Sequence, residues 1–373
     1  MKDEINVGVV GCGYWGPNLI RNFASLKGCK LKSVCDQDES RLDLIASRHP
    51  GIETFTRFDV FLDDEDLDAV VIAVPVRFHF NLAFHSLKAG KHVFIEKPMA
   101  ASVEECNALI ELADEKGLIL MVGHTFLYSP VVRKIKEIVD SGEIGKIQYI
   151  SCRRLNLGLY QQDINVAWDL APHDLSIILH LIDSNPVEVN CRGKTNCNTT
   201  GAGCENRRNC RANIPDVSNM TLVFDDGCFA TVHNSWLDPR KVRDMAIIGD
   251  RKMIVYDELQ DYEKVKIFDR RIEPPVMPDE SRIAYHYGDM WVPYIPPVEP
   301  LHVECSHFIE CIQTGQTPLT DGRAGRDLVE ILTLASESMY NSGNNMLIGK
   351  YRTLSCGEVT EGDTSCQKCL ETA

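Results

Sequence analysis

The sequence has no long hydrophobic run and a shortage of basic side chains. Its longest apolar stretch, Ala69 to Val76, is far shorter than the ~20 residues that a membrane-spanning helix needs. Only 39 Lys and Arg residues stand against 54 Asp and Glu residues, which gives a formal net charge of −15. Because such a surface repels phosphate backbones and anionic lipids, we do not expect a general nucleic-acid or membrane-surface binder.

The amino terminus also lacks the pattern of a secretion signal. Met1 to Glu4 is charged and leads directly into the short apolar run Ile5–Val10. The 15 cysteines among 373 residues are too sparse for a disulfide scaffold. We therefore expect a cytoplasmic protein, and at roughly 100–200 residues per domain the length predicts about two domains.

The first third of the chain alternates short β-rich runs with helical patterns, which is typical of a doubly wound parallel sheet in an α/β protein. Ser102, followed by Glu105, predicts a helix start, while Gly90 and Gly117 predict helix ends. We interpret residues 1–125 as one domain with this sheet. Its predicted strands are Ile5–Val10, Leu31–Cys35, Ala69–Val74, His92–Ile95 and Ile119–Val122.

From Tyr128 onward the pattern changes to longer strands separated by turns. Asp225-Asp226-Gly227 lies between alternating apolar runs and predicts a hairpin. We expect residues 126–348 to form an α+β domain, in which helices cover one face of an open, largely antiparallel sheet. Proline-rich residues 274–300 predict an irregular surface loop, and residues 349–373 a C-terminal tail. The predicted helices of this half are Pro130–Val139, Pro172–Leu181, Val303–Thr314 and Arg323–Ser342.

A glycine motif follows the first predicted strand and opens the first helix, the context in which G-x-G-x-x-G indicates a Rossmann dinucleotide site. Gly11 permits the tight turn, Gly13 lets backbone N–H groups approach a pyrophosphate, and Gly16 allows close packing of helix on strand. Asp36 ends the second strand, where a carboxylate accepts hydrogen bonds from a ribose diol. Since it would repel a 2′-phosphate, we predict NAD rather than NADP, although Arg41 could partly offset this preference.

Two further stretches carry residues suited to chemistry. Lys97 lies just beyond a central strand, on the sheet edge where open α/β sheets bind ligands, and a desolvated ammonium there could polarise an oxygen. Asp169 and His173 are four apart at the start of a helix, so both could act on one hydroxyl. The alternatives are that Lys97 is a solvated surface charge, that Asp169 or Asp174 caps the helix, and that His173 packs between domains.

Together these stretches resemble the Gfo/Idh/MocA oxidoreductase family, from Ile5 to about Leu347. The family's Glu-Lys-Pro motif matches Glu96-Lys97-Pro98, and its later histidine, four residues after an acid, matches His173. Within the family, the short motifs of this sequence are most similar to those of the branch that acts on nucleotide-linked sugars, which includes UDP-N-acetylglucosaminuronate 3-dehydrogenases. That likeness rests on Gly13-Tyr14-Trp15-Gly16-Pro17-Asn18, Gly123-His124-Thr125-Phe126-Leu127-Tyr128 and Trp168-Asp169-Leu170-Ala171-Pro172-His173-Asp174.

The resemblance implies hydride transfer between a secondary alcohol of a sugar ring and a nicotinamide cofactor. Lys97 would hold the reacting oxygen, His173 would exchange the hydroxyl proton, and Asp169 would orient the pair or the sugar. The loop Val74–His79 lacks the Thr-Pro-Asn motif that is usual in the family. The resemblance therefore does not determine which residues of this loop contact the cofactor. The other residues implied are Tyr14, Trp15, Pro75, His79, Glu96 and Trp168 at the cofactor and Tyr128 at the substrate.

Two pairs of basic residues could bind an anionic group of the substrate. Arg153 and Arg154 end a strand shortly before the Trp168 motif, and Lys241 and Arg243 follow a turn. Either pair could meet a diphosphate or carboxylate bidentately. The alternative is that all four are ordinary surface charges.

Four cysteines differ from the others because they lie together in one polar segment, near residues 190–215. We interpret this segment as an insertion relative to the family. Four thiols in one loop could bind zinc or an iron–sulfur cluster, but the spacing lacks Cys-x-x-Cys pairs, so free thiols are preferred over a metal. The tail also holds Cys366 and Cys369. The four cysteines of the insertion are Cys191, Cys197, Cys204 and Cys210.

Three classes of function remain at this point. The favoured class is a dehydrogenase acting on a sugar, with a nucleotide sugar and its 3-position preferred. The second is a related NAD-dependent enzyme, such as an inositol or free-sugar dehydrogenase or a glycosidase that uses transient oxidation. The third is a non-catalytic NAD-binding redox sensor, which the presence of both Lys97 and His173 disfavours. A homo-oligomer is expected through the exposed face of the open sheet.

Overall fold

The computed structural model describes residues 4–161, 164–196, 214–273 and 283–349. Within them the chain forms two sheets. The first contains six parallel strands in the order β3-β2-β1-β4-β5-β6, so the strand order reverses between β1 and β4. The predicted α/β class is confirmed. The strands are β1 Ile5–Val10, β2 Cys29–Cys35, β3 Glu53–Phe55, β4 Ala69–Ile72, β5 His92–Glu96 and β6 Leu120–Gly123.

Helices wrap both faces of this sheet, and local chemistry sets their ends. The Ser102 hydroxyl accepts a hydrogen bond from the Glu105 N–H at 3.2 Å, and Gly117 ends the same helix in the left-handed conformation, both as predicted. The short elements β3 and α3 were not predicted. The helices are α1 Gly16–Ser25, α2 Glu39–Arg48, α3 Phe58–Leu62, α4 His79–Lys88 and α5 Val103–Lys116.

The second sheet has nine strands in the order β14-β13-β12-β11-β7-β10-β9-β8-β15. Its pairs are antiparallel except for β10 with β7 among the strands described. The Asp225-Asp226-Gly227 hairpin joins β9 to β10 as predicted. The strands are β7 Ile147–Leu157, β8 Glu188–Lys194, β9 Val217–Val223, β10 Phe229–Ser235, β11 Leu237–Gly249, β12 Met253–Asp257, β13 Val265–Glu273, β14 Ala284–Trp291 and β15 Met346–Leu347.

The prediction of one irregular loop over residues 274–300 was wrong in part. Strand β14 lies inside that range and pairs with β13, because Ile283–Trp291 contains no proline and is rich in aromatic residues, which favour strands. The following residues, 292–299, are irregular. Residues 274–282 lie outside those described.

Helices cover only one face of the nine-stranded sheet. Along β7, Ile150 and Cys152 are buried beneath them, whereas Tyr149 and Arg153 point to the open face. There the rings of Tyr149 and Phe229 stack at 5.4 Å. The helices of this half are α6 Pro130–Asp140, α7 Val166–Ile182, α8 Pro300–Thr314 and α9 Gly322–Tyr340.

The last two helices return to the six-stranded sheet. Phe308 of α8 packs edge-on against Phe23 and Phe94, with ring centroids 6.3 and 5.7 Å away. Thr320 exchanges backbone and side-chain hydrogen bonds with Val122 of β6. The two sheets are therefore joined by a shared core, and the division of the chain near residue 125 stays a prediction. No helix in the described ranges has the length and apolarity to cross a membrane.

Candidate active site

The glycine motif forms a tight turn between β1 and α1. Gly11 has φ +99°, and a Cβ there would lie 2.3 Å from the Ala73 carbonyl oxygen. A Cβ on Gly16 would lie 2.0 Å from the Gly11 carbonyl oxygen, so only glycine allows this helix to approach the strand. A Cβ on Gly13 would meet only Arg41 Nη1, at 3.7 Å. The approach to Gly13 is thus open to a ligand, as the N-terminus of a helix that binds pyrophosphate requires.

Asp36 has a structural task that its position in the sequence does not reveal. Its Oδ2 accepts a hydrogen bond from the Cys12 N–H at 2.6 Å and its Oδ1 one from the Asp38 N–H at 2.9 Å. The carboxylate therefore fixes the glycine turn to the end of β2. Arg41 Nη1 lies 3.7 Å from Asp36 Oδ2. A cavity of about 290 Å³ lies beside Asp36 and Arg41, and Pro75 of the β4 loop lines its far side.

His79 is buried between two loops. Its side chain is 1% exposed, with Nδ1 2.9 Å from the Pro98 carbonyl oxygen and Nε2 2.8 Å from the Val74 carbonyl oxygen. The ring links the loop after β4 to the loop after β5. His79 thereby positions the segment that carries Lys97, and its implied cofactor contact stays a prediction.

Lys97 is held between the two sheets. Its Nζ donates to the Asp169 carbonyl oxygen at 3.2 Å. Burial lowers the pKa of the ammonium, while the negative charges of Asp169 and Glu96 partly restore it. The alternative of a solvated surface charge does not hold, because the side chain is partly buried and reaches α7.

Helix α7 starts earlier than predicted, at Val166 rather than Pro172. The Asn165 side chain caps it by accepting hydrogen bonds from the N–H groups of Ala167 and Trp168. Neither Asp169 nor Asp174 is the cap. Pro172 lies inside the helix, where its missing N–H removes the backbone hydrogen bond to the Trp168 carbonyl group.

His173 and Asp169 lie on α7, one turn apart, beside Lys97. Burial, then the positive charges of Lys97 and Arg154, lower the pKa of the imidazole well below its usual value, which favours the neutral ring. The ring of His173 packs edge-on to Phe126 at 5.0 Å. Asp169 is oriented by Trp236, whose Nε1 donates to Asp169 Oδ2 at 2.9 Å.

Two tryptophans and Glu96 flank this group. Trp15 Nε1 donates to Glu96 Oε1 at 2.6 Å. Burial raises the pKa of Glu96 to about 7, although Lys97 opposes the shift. Trp168 Nε1 instead donates to the Ser336 hydroxyl on α9 at 2.9 Å. Tyr14 is almost wholly exposed beside the glycine turn.

The basic residues predicted to bind an anion do not act as two pairs. Neighbours on a strand point to opposite faces, so Arg153 lies on the open face, bonded to Asp244, and Arg154 lies beneath the helices. Arg243 is bonded to Glu258, and Lys241 is exposed on β11. Arg153 is thus corrected to a residue outside the site.

Arg154 belongs to a buried ion network. Its Nη2 lies 2.9 Å from Asp174 Oδ1 and its Nη1 2.9 Å from Glu258 Oε2, while Arg243 Nη1 lies 2.7 Å from Glu258 Oε1. Each cation therefore already has a carboxylate partner. The network shapes the floor beneath His173 and offers no free charge for a phosphate.

Tyr128, which the resemblance implied at the substrate, is fully buried, and its hydroxyl lies 3.1 Å from the Thr320 hydroxyl. Its role at the substrate stays a prediction. The tyrosine stabilises the contact between the β6 end and the segment before α9.

Sequence reasoning missed two buried polar residues, His124 near Lys97 and Glu304 near Glu96. His124 Nε2 and Glu304 Oε1 have no hydrogen-bond partner among the described residues, and Thr125 donates to Glu304 Oε2 at 2.7 Å. Burial lowers the pKa of His124 to about 4. The signals were present: His124 follows the carboxyl end of a parallel strand, and Glu304 interrupts the apolar face of α8.

A cleft of about 940 Å³ opens in front of His173. Trp15 and Phe126 line its inner part, and the turn after β12 and the irregular residues 292–298 form its outer walls. The cleft therefore extends from Trp15, at the glycine turn, to His173. Its size is within the range of sites that hold small molecules.

No group of three or more potential metal ligands occurs in the part of the chain that the structure describes. Cys191 is buried in strand β8 with a free thiol. Cys197, Cys204 and Cys210, with the tail cysteines, lie outside the described residues. The expectation that the insertion holds free thiols rather than a metal therefore stays a prediction.

Comparison with known proteins identifies the family. The profile of the oxidoreductase family with an NAD-binding Rossmann fold, GFO/IDH/MocA, matches residues 5–124, and that of the GFO/IDH/MocA C-terminal domain matches residues 132–255. The chain belongs to the Gfo/Idh/MocA oxidoreductase family. As a member of the Gfo/Idh/MocA family, it is an NAD(P)-dependent dehydrogenase acting on CH–OH groups.

Relatives of this Gfo/Idh/MocA chain differ in substrate. It is 25% identical over 351 residues to the scyllo-inositol 2-dehydrogenase (NAD(+)) of Bacillus subtilis, a match covering 91% of this chain and 96% of the relative. It is 27% identical over 337 residues to the UDP-N-acetylglucosamine 3-dehydrogenase of Acidithiobacillus ferrooxidans, covering 87% and 93%.

Solved structures show the same fold. That of the Acidithiobacillus ferrooxidans enzyme has a TM-score of 0.72 at 24% identity and covers 91% of this chain and 98% of its own. An Agrobacterium radiobacter oxidoreductase in complex with NAD+, L-tartaric acid and magnesium has a TM-score of 0.77 at 18% identity, covering 93% and 99%.

Proposed function

We propose that this dehydrogenase oxidises a secondary hydroxyl of a sugar or cyclitol ring at the group formed by Lys97, Asp169 and His173. The observation that carries the proposal is that segments far apart in the chain meet here: Lys97 bonds to the Asp169 carbonyl oxygen of α7, one turn from His173, which lines the cleft that reaches Trp15 at the glycine turn. A bound nicotinamide dinucleotide would supply the hydride acceptor. The relatives that act on inositol and on a nucleotide sugar support a ring substrate.

Each residue then has a distinct task. Lys97 donates a hydrogen bond to the reacting oxygen and stabilises the negative charge that develops as its proton leaves. His173 accepts that proton, which a neutral imidazole is able to do. Asp169, held by Trp236, orients a neighbouring hydroxyl. Glu96 and Trp15 close the inner end of the cleft.

The finer proposal is a nucleotide sugar oxidised at its 3-position. Its support is the similarity to UDP-N-acetylglucosamine 3-dehydrogenase over most of both chains. The similarity to scyllo-inositol 2-dehydrogenase supports a cyclitol as the second candidate, and the fully paired arginines beneath the cleft are compatible with such an uncharged substrate.

A substrate screen tests these proposals. Purified protein is incubated with NAD+ and, separately, with UDP-N-acetylglucosamine, inositols and free sugars, and NADH formation is measured. The nucleotide-sugar proposal expects the highest kcat/KM with UDP-N-acetylglucosamine. Higher values with inositols would select the second candidate, whereas no NADH from any ring substrate, despite NAD+ binding, would contradict both.

We further propose NAD over NADP as the cofactor, because the Asp36 carboxylate faces the cavity where an adenosine ribose would bind. An Asp36→Asn variant is expected to lose NAD affinity and to discriminate less against NADP. Titrations of both cofactors against wild type, with Asp38→Asn as the matched control, measure the change. Tighter binding of NADP by wild type would contradict the proposal.

The open face of the nine-stranded sheet supports self-association as a further part of the proposal. Stacked Tyr149 and Phe229 leave an apolar surface in contact with water in the single chain. A symmetric dimer or tetramer would cover it. Sedimentation of wild type and Phe229→Glu is expected to show an oligomer that the substitution weakens.

A further inference from the structure

The outer part of the 940 Å³ cleft is larger and more aromatic than a single sugar ring requires. A cleft of this volume is near the upper end of those that hold drug-sized ligands. His173 lies at its partly buried end, whereas Tyr262 and Tyr294 line it with 93% and 82% of their surfaces exposed. These two tyrosines come from separate segments that the fold brings to one opening.

Neither tyrosine has an intramolecular task in the described part of the chain. No hydrogen bond and no ring contact within that part involves Tyr262 or Tyr294. Both rings instead line the concave cleft that contains His173, and aromatic side chains lining a cleft of this size are typical of small-molecule sites. Their placement in the substrate cleft makes the substrate the ligand to consider.

The segments that carry the two rings are held in place. Tyr262 lies on the turn between β12 and β13, where the Asp257 N–H donates to the Lys264 carbonyl oxygen at 2.8 Å and Lys264 Nζ to the Glu258 carbonyl oxygen at 2.6 Å. Tyr294 lies between Pro293 and Ile295, and the Ile295 side chain packs against the core. Both rings are therefore presented by ordered backbone, which reduces the entropy lost on binding.

From this arrangement we propose that Tyr262 and Tyr294 form an aromatic subsite for a second ring, joined through the anomeric carbon to the ring that is oxidised. The inference rests on the proposed function, because it takes the oxidised ring to lie at His173. The shared chemistry is a flat ring face, which either a nucleobase or a second sugar ring offers. Stacking on aromatic side chains suits both, since it needs no particular pattern of hydrogen bonds.

Kinetics with matched substrates test the subsite, one with the sugar ring alone and two that carry a further stacking ring; the latter are called two-ring substrates here, the ribose of the UDP conjugate not being counted. The probes are N-acetylglucosamine, its UDP conjugate and its β-1,4 disaccharide, with NAD+ saturating. Tyr262→Ala and Tyr294→Ala are each expected to raise KM for a two-ring substrate by about fivefold or more, with little change in kcat. KM for N-acetylglucosamine is expected to stay unchanged. Loss with the UDP conjugate identifies a base in the subsite, and loss with the disaccharide identifies a sugar ring.

Controls separate this role from a structural one. Tyr262→Phe and Tyr294→Phe keep the ring and are expected to keep wild-type KM. Tyr285→Ala removes an exposed tyrosine outside the cleft and is expected to change nothing. Calorimetric titration of the same three ligands with the NADH-bound protein gives the comparison without turnover.

The outcomes are distinct. Equal KM and equal affinity for one-ring and two-ring ligands, or losses shared by Tyr285→Ala, would overturn the aromatic subsite while leaving the proposed function in place. Neither turnover nor binding of any sugar or inositol would instead contradict the proposed function.

Discussion

The dinucleotide end of the site is formed mainly by backbone geometry within a short stretch of sequence. The substrate end is formed instead by side chains from distant segments of the chain. Gly11 to Asp36 contains the whole glycine turn and the carboxylate that fixes it. The group around His173 instead draws on β5, α7, β7, β10 and the turn after β12. The first region is therefore defined mainly by the shape of the backbone, and the second mainly by buried charged side chains.

The difference teaches that the two regions fail in different ways. A clash in the glycine turn removes the space for a ligand, and no side chain elsewhere can restore it. A lost charge near His173 leaves its partner buried and unpaired, which costs stability as well as chemistry. Substitutions in the two regions are therefore expected to separate binding, turnover and stability.

Lys97→Ala is expected to have the largest effect. Without the ammonium, kcat should fall by about 10²–10⁴-fold, the usual contribution of a group that assists proton transfer, while NAD+ affinity is retained. Steady-state kinetics and cofactor titration measure the two quantities. Near-normal turnover would refute the role assigned to Lys97. It would also show that buried charge does not determine activity at the substrate end.

Asp174→Asn tests the buried network. Arg154 would keep Glu258 but lose its second carboxylate, so we expect a loss of about 3 kcal/mol in the free energy of unfolding. Asp244→Asn, which frees the exposed Arg153, is the matched control and should cost only about 0–1 kcal/mol. Denaturant unfolding compares them, and equal losses would show that burial of charge does not distinguish this region.

Gly16→Ala and Gly13→Ala probe the glycine turn. The Cβ at position 16 would press on the Gly11 carbonyl group, so we expect a loss of about 1–3 kcal/mol in stability together with weak NAD binding. The Cβ at position 13 has room, so that variant should keep its melting temperature and lose affinity alone. Calorimetry with and without NAD+ separates the two, and a stable Gly16→Ala protein would contradict the packing argument.

Glu96→Gln is expected to change stability only through its dependence on pH. Because the pKa of Glu96 is about 7 in the folded protein against 4.5 as the reference, the folded state binds the extra proton. The stabilisation of the folded state by this proton is complete below pH 4.5 and is lost as pH rises through about 7. Melting temperatures across this range should fall more steeply for cofactor-free wild type than for the variant; parallel curves would count against the shift.

Much of the first sheet could be predicted because its signals are local. Hydrophobic runs, Ser102, Gly117 and the glycine motif each act on their immediate neighbours in the chain. The three-residue strand β3 was missed since so short an element has no periodicity. Strand β14 was missed because nearby prolines hid its aromatic pattern, and α7 began early because Asn165 was not recognised as its cap.

The candidate site was predictable only in part for a related reason. Their positions on a strand end and a helix made Lys97, Asp169 and His173 candidates, and only the family resemblance implied their roles. In the structure Lys97 contacts the helix that carries the other two. Glu258 and Trp236 could not be found, because their partners are set by strand pairing far along the sequence. The separation of Arg153 from Arg154 followed from strand alternation alone and was overlooked.

The contact of Phe308 with Phe23 and Phe94 has a consequence for synthesis on the ribosome. The six strands of the first sheet are complete once Gly123 has been made, but the surface that α8 covers stays open until Phe308 emerges. At bacterial or eukaryotic elongation rates that interval lasts roughly 10–40 s. During it the rings of Phe23 and Phe94 lack this cover, so the dinucleotide end completes its packing only after most of the second sheet has been made.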